Sequence, residues 1–308
     1  MRNFTRHFRA DANDCRTGRY TRYLAGPGPR RREGEVHSGG NGCRPALALL
    51  VLVAATMAGP QQVQAEAGAS NWVRGHLSQV RLIAGKFDGK TWQAGVEIRL
   101  KGRAHTYWRN PGDGGVPPEF DFSKSANVAG AKALFPAPSR SGKPGEEIIG
   151  YEHAVVFPVQ VTPASPAAPV KLNLHLNYAA CEKICVPEQA KLSLTLKPGT
   201  PVPATAQLID AYVARLPKPL ANPGAPKLHV ANKAPGKTWT FRIEGVTKGP
   251  SDLFIEGQEG WYFDRKVVSK REIELTLAQK PENAASIPPV RVTLTTGKGA
   301  FEGTKTLP

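Results

Sequence analysis

Two cysteines four positions apart, Cys181 and Cys185, are the residues of this 308-residue chain best suited to chemistry. They lie in the segment Tyr178-Ala179-Ala180-Cys181-Glu182-Lys183-Ile184-Cys185-Val186-Pro187-Glu188. A disulfide needs α-carbons within roughly 4.4–6.8 Å. Four residues of extended chain would span about 13 Å, so the segment must curl back. Pro187 closes the turn by restricting the backbone and removing a donor. Three chemistries suit such a pair. A structural staple closing so short a loop adds only about 2 kcal/mol by the chain-entropy estimate, and a chain of this size buries a core without it. Thiol–disulfide exchange explains a lone close pair better, and it requires one reachable sulfur. Soft-metal binding is the third, with Cys181, Cys185 and His175 or His153 as a Cu(I)-type set. Against it, the chain has no Met-rich or His-rich tract and only two methionines, Met1 and Met57. Lys183, between the cysteines, could hold a thiolate or simply be solvated.

The elements that must position this pair read as strands. Val170, Leu172, Leu174, Leu176 and Tyr178 alternate with polar residues, as do Ala190, Leu192, Leu194 and Leu196. Thr91–Lys101 alternates through Trp92, Ala94, Val96, Ile98 and Leu100. This period of two predicts antiparallel strands with one wet face, and it puts the cysteines in a turn at the end of a sandwich. Cys181 follows directly from a strand and is expected to be the more buried. Cys185 adjoins Val186-Pro187, a stiff apolar edge suited to docking another chain. Trp72–Ile83 and Tyr151–Thr162 are further candidate strands, separated by turn-rich stretches such as 110–115. A proline-rich segment with one helical pattern, Ala204–Leu216, interrupts the alternation. It resumes in Trp239–Glu244, Asp252–Glu256, Arg271–Ala278 and Val290–Thr295. The expected fold class is all-β: two immunoglobulin-like β-sandwich domains, 66–198 and 227–308, joined by a Pro-rich linker with a short helix, 199–226.

Residues 1–65 are read apart. The uncharged apolar run Pro45–Ala58 is short for a membrane anchor. Arg44 precedes it, and Val63-Gln64-Ala65 offers small residues at −3 and −1. This predicts a secretory signal peptide cleaved near Ala65. The Arg- and Gly-rich stretch before it resembles no signal n-region and is read as a start placed too far upstream. Cys15 and Cys43 would then be absent from the exported chain, leaving one pair where disulfides persist. The net charge is +16, of which 10 of 41 Lys and Arg and 4 of 25 Asp and Glu precede residue 66. The remaining +10 is dispersed, with no basic helix and no RNA-binding signature, so nucleic acid is not an expected partner. No Ser-His-Asp pattern, phosphate loop or paired zinc-type cysteines suggest a hydrolase, nucleotide enzyme or zinc site.

Several motifs occur together in family order. They are His105-Thr106-Tyr107-Trp108-Arg109-Asn110-Pro111-Gly112-Asp113, Phe135-Pro136-Ala137-Pro138-Ser139-Arg140, Gly150-Tyr151 and Tyr178–Pro187. Through them, residues from about Trp72 to Leu196 resemble the amino-terminal periplasmic domain of the thiol:disulfide interchange reductase DsbD, closest to its ScsB-type (suppressor of copper sensitivity) relatives. Residues 200–308 resemble the second periplasmic sandwich of those relatives. The resemblance implies a periplasmic protein-disulfide-reductase-type component with no cofactor beyond a redox-active Cys181–Cys185 disulfide. The family's settings are cytochrome c biogenesis and copper tolerance. It implies that Cys185 attacks the client and Cys181 resolves. It also implies a cap loop within Ser141–Tyr151, with Ile148 and Ile149 where better-known members present aromatic rings. Tyr107, Trp108, Glu147, Ile148, Ile149, Tyr151, Lys183 and Pro187 become the expected surround. Full-length members continue into a multi-helix membrane domain. These residues include none, so the expected donor is a membrane electron-transfer protein of the DsbD/CcdA type in trans. The expected clients are periplasmic thioredoxin-fold proteins. The alternatives remain a copper-handling protein using the same cysteines, or an adaptor with a structural disulfide.

Overall fold

The structure, a computed structural model, describes residues 68–112, 114–143, 147–246, 251–284 and 286–308. The chain divides into two units, Met1–Pro60 and Gln61–Pro308. The first lies outside the described residues, as do the expected signal segment, Cys15 and Cys43.

In chain order the elements begin with β1 (Val73–Arg74), β2 (Ser78–Phe87), β3 (Trp92–Leu100), β4 (His105–Tyr107), β5 (Glu119–Asp121) and β6 (Val128–Ala133). There follow β7 (Ser139–Ser141), β8 (Ile148–Glu152), β9 (Ala154–Pro163), β10 (Val170–Cys181) and β11 (Cys185–Leu196). Helix α1 (Thr205–Val213) and β12 (Lys218–Pro219) come next. The chain ends with β13 (Lys227–Ala234), β14 (Thr238–Glu244), β15 (Asp252–Glu256), β16 (Tyr262–Ser269), β17 (Glu272–Gln279), β18 (Val290–Thr296) and β19 (Gly299–Lys305).

These strands make an all-β, immunoglobulin-like architecture of four sheets in two facing pairs. The order β1-β2-β3-β9-β6 faces β11-β10-β4-β8-β7, with β5 also on β10. Their shared core holds Leu82, Val96, Phe157, Leu172, Leu176 and Trp108. The order β12-β19-β18-β15 faces β13-β14-β17-β16 around Trp239, Phe241, Leu275 and Leu294. Burial of such side chains removes about 1.5–3 kcal/mol of exposure each. That burial is why the alternating segments become strands.

The alternation of β10 is realised without exception. Val170, Leu172, Leu174, Leu176, Tyr178 and Ala180 all enter the core. The wet face expected of β3 is corrected, because Gly95 and Glu97 are buried too. Helix α1 lies over that outer face, with Ile209 against Ile83 and Val156. Glu97 is paired there with Arg81 at 2.6 Å and Arg99 at 2.7 Å. The helix is shorter than the periodicity predicts, since Arg215 and Leu216 donate to the Tyr212 and Val213 carbonyls in i→i+3 turns before Pro217.

Two expected strands are broken. Trp72–Ile83 divides at Gly75, where a β-carbon would lie 1.8 Å from a Glu188 oxygen. Tyr151–Thr162 divides at His153, whose φ is +62°. The break sends β8 to one sheet and β9 to the other. Residues 199–226, read as a linker, supply α1 to the first sandwich and β12 to the second.

Candidate functional site

The cysteine segment is less turn and more strand than expected. β10 and β11 form one hairpin whose pairing runs from Val170↔Leu196 to Cys181↔Cys185. Only Glu182, Lys183 and Ile184 lie between the strands, closed by the Glu182 amide donating to the Ile184 carbonyl at 3.2 Å. The last rung sets the cysteine α-carbons 4.0 Å apart, and the two are joined as a disulfide. The period of two decides which way they face. Tyr178 and Ala180 point into the core, so Ala179 and Cys181 point to the outer face of the sheet.

That outer face is covered only in part. Tyr107 of β4 and Ile148 of β8 pack with Ala179 and Cys181 into a small apolar cluster. Cys181 is 2% exposed beneath it, while Cys185 is exposed on the outer strand. The Tyr107 hydroxyl lies 3.3 Å from Cys185 Sγ and 3.4 Å from His105 Nε2. His105 pairs with Cys181 in the sheet and sets its ring edge-on to Tyr107. Burial holds the His105 pKa below its ordinary value, with Glu152 opposing, and burial raises that of Tyr107. The Tyr107 phenol therefore flanks the exposed sulfur and can donate to a thiolate there, with the His105 ring behind it against its hydroxyl. β4 can lie so close to β8 because residue 150 is glycine; a β-carbon would sit 2.0 Å from the Thr106 carbonyl oxygen.

Below the cysteines the hairpin is anchored by a buried polar group. Tyr178 and Glu188 face each other three rungs down. Glu188 accepts from the Tyr178 hydroxyl at 2.8 Å, from the Leu77 amide at 2.7 Å and from the Ser78 hydroxyl. Leu77 and Ser78 belong to the opposite side of the sandwich, so one carboxylate stitches both sheets beside the reactive end. Burial first, and then Glu188, raises the Tyr178 pKa, against a lowering by the Ser78 hydrogen bond.

The expected surround is brought together only in part. Tyr107 and Ile148 meet the cysteines. Trp108 points the other way, fully buried in the sandwich core. Tyr151 also enters the core and donates to the Pro136 carbonyl at 2.7 Å. Ile149 packs on the core's edge. Lys183 and Pro187 are exposed in and after the turn. Glu147 accepts from Arg140 at 3.0 Å. Within the expected cap, Pro144, Gly145 and Glu146 lie outside the described residues.

The alternative metal set is not assembled. His175 is six residues back along β10, about 20 Å in extended chain. Among the described residues no group of three or more His, Cys, Asp or Glu could hold a metal ion. His105 was missed by the residue-by-residue reading; its two-residue spacing from Tyr107 was the available signal.

Residues 77–197 match the family model described as thiol:disulfide interchange protein DsbD, N-terminal. The chain carries a DsbD amino-terminal domain. Its fold is that of the N-terminal periplasmic domain of ScsB from Proteus mirabilis, at 20% identity and a TM-score of 0.62. That likeness covers 78% of this chain and 98% of that one. A conserved domain protein from Bacillus anthracis aligns at 12% identity over 73% of this chain and 77% of its own, but at a TM-score of 0.25 it bears no weight. No curated protein matches the chain in sequence. The family match is to a domain of thiol:disulfide interchange proteins and is confined to residues 77–197. No described helix is long and apolar enough to cross a membrane.

Proposed function

We propose that this chain carries reducing equivalents from a membrane dithiol donor of the DsbD/CcdA type to periplasmic thioredoxin-fold proteins, through Cys181 and Cys185. In the reduced state the Cys185 thiolate attacks a client disulfide. One client sulfur joins Cys185 in a mixed disulfide and the other leaves as a thiolate. Cys181 then attacks Cys185 Sγ, closes the Cys181–Cys185 disulfide and releases the second client thiolate. Two electrons have moved to the client, and the membrane donor's dithiol restores the pair by the reverse exchange.

The observation that carries this reading is the asymmetry of one rung. Cys185 is exposed beside the Tyr107 hydroxyl, whereas Cys181 is buried under Tyr107 and Ile148. Attack requires access, and resolution requires only a neighbour. Ile184, 73% exposed beside Cys185, adds an apolar contact at the rim where a client would dock. A Cys181→Ser variant should accumulate a mixed disulfide with periplasmic thioredoxin-fold proteins, and Cys185→Ser should not. Equal trapping by both would refute the assignment. In redox buffers the wild-type pair should equilibrate well above about −300 mV, the region of inert structural disulfides.

A further inference from the structure

The strand β15 has two faces, and each meets a different sandwich. Leu253 and Ile255 turn inward to the core of the second sandwich. Asp252, Phe254 and Glu256, at alternate positions, meet groups of the first. Phe254 is counted in the first sandwich's core, with its ring 5.6 Å from that of Trp108. Asp252 accepts from Arg140 of β7 at 2.9 Å, and that guanidinium lies 5.0 Å over the Phe254 ring. Glu256 accepts from Arg109 twice, at 2.9 and 2.6 Å, and Glu302 of β19 accepts from the same arginine.

Those two arginines stand on the elements that cover the cysteines. Arg109 is two residues after Tyr107, whose hydroxyl touches Cys185. Arg140 lies on β7, paired with Ile149 beside Ile148. Trp108, between Tyr107 and Arg109, is held by its amide to the Ile149 carbonyl at 3.0 Å. Its ring meets the Arg109 guanidinium at 4.5 Å and the tilted ring of Phe254. Burial opposes the charge of Arg109, but hydrogen bonds and charge from Glu256 and Glu302 outweigh it and raise its pKa. Both arginines are mostly buried, so these bidentate and charge-assisted contacts constrain geometry more than surface pairs do. Asp252 also accepts from Arg265 of β16 at 2.5 Å, which fixes the carboxylate in its own sandwich.

We infer that Asp252 and Glu256 are positioning residues for the cysteine pair. Through Arg140 and Arg109 they set how Ile148 and Tyr107 sit on the sulfurs, so the second sandwich governs the reactivity of a disulfide it does not contain. The inference rests on the exchange reading only for its purpose; the coupling itself is a property of the thiols. Beside the contacts the sandwiches part into a cleft of about 920 Å³ that reaches from Tyr107 and Ile148 to Trp261. The covering side chains therefore have room to move when released.

The test is the alkylation rate of Cys185 in the reduced, full chain. Asp252→Asn and Glu256→Gln should each accelerate iodoacetamide modification about threefold or more. Arg140→Ala should accelerate it likewise, and combining it with Asp252→Asn should add nothing further, the signature of one shared contact. Asp252→Glu, which keeps the charge, should restore most of the wild-type rate and guards against a folding defect. Lys233→Ala, which breaks an exposed pair elsewhere in the second sandwich, should leave the rate unchanged. Wild-type rates in both acid variants, or full additivity with Arg140→Ala, would overturn the inference. If the rates shift as expected while Cys181→Ser traps no client, the exchange reading falls and the coupling stands.

Discussion

The two sandwiches share an architecture but place their polar groups differently. The first buries charge. Arg81 and Glu97 pair, buried, on its outer face, and Glu188 sits among Ser78, Tyr178 and the Leu77 amide. The second keeps an apolar core around Trp239, Phe241 and Leu294. Charge pairing in it is turned outward, as at Lys233–Glu274, or gathers where it meets the first sandwich, at Asp252 and Glu256. Buried polar groups are expensive unless fully bonded, and when fully bonded they specify one arrangement. The first sandwich holds such groups near the end that carries the cysteines. There a register error of one residue would turn Cys181 from the outer face into the core. Among its described residues the second sandwich has no cysteine, and its least exposed ion pairs, at Asp252 and Glu256, lie on the side that meets its neighbour.

The sharpest way to break this comparison is Phe254→Ala. Although β15 belongs to the second sandwich, the substitution should destabilise the first, by about 3–5 kcal/mol as for other buried Phe truncations. Denaturant unfolding followed by tryptophan fluorescence should show the loss, because Trp108 faces the vacated space. A loss below about 1 kcal/mol would mean that the first core closes without its neighbour. Next in size is Glu188→Ala. It removes the shared acceptor of three donors, of which the Ser78 and Tyr178 hydroxyls still have each other, and should cost about 2–3 kcal/mol. Lys233→Ala, at an exposed pair of the second sandwich, should cost under about 1 kcal/mol. Similar losses at the two sites would erase the distinction.

The smallest effect is on pH dependence. Burial raises the pKa values of Tyr107, Tyr151 and Tyr178, all in the first sandwich. An unfolded tyrosine loses its proton near pH 10. The stability these groups contribute is thus complete below about pH 10 and is lost as pH rises through their higher folded values. His105 acts in the opposite sense. Its folded pKa is depressed, so its contribution is complete above about pH 6.5 and is lost as pH falls through the folded value. A stability profile by denaturant titration from pH 5 to 11 should decline at both ends. His105→Asn should flatten the acid limb, and Tyr107→Phe should soften the alkaline one.

Much of this was legible in the sequence. The alternation through Val170–Tyr178 and Ala190–Leu196 located the hairpin. Asp252–Glu256 coincides with β15. The buried Cys181 and exposed Cys185 match the order read from the flanking residues. Other elements were not legible. Short strands such as β4 and β7 are too brief to show a period. β13, β16 and β19 carry mixed patterns whose faces are only partly covered. The family resemblance groups Trp108 and Tyr151 with the surround of the cysteines. Their parity sends them to the core instead.

What the sequence by itself determined is local: a cysteine pair closed by a three-residue turn, strands on both sides, and the face each side chain shares with its neighbours. Those follow from the fixed two-residue period of a strand. What each face meets was decided only by tertiary structure. Strand pairing and sheet packing join residues far apart in the chain, and no local pattern encodes the partner. Thus His105 came to lie against Cys181, Leu77 and Ser78 against Glu188, and Asp252 and Glu256 against two arginines that flank the disulfide's cover.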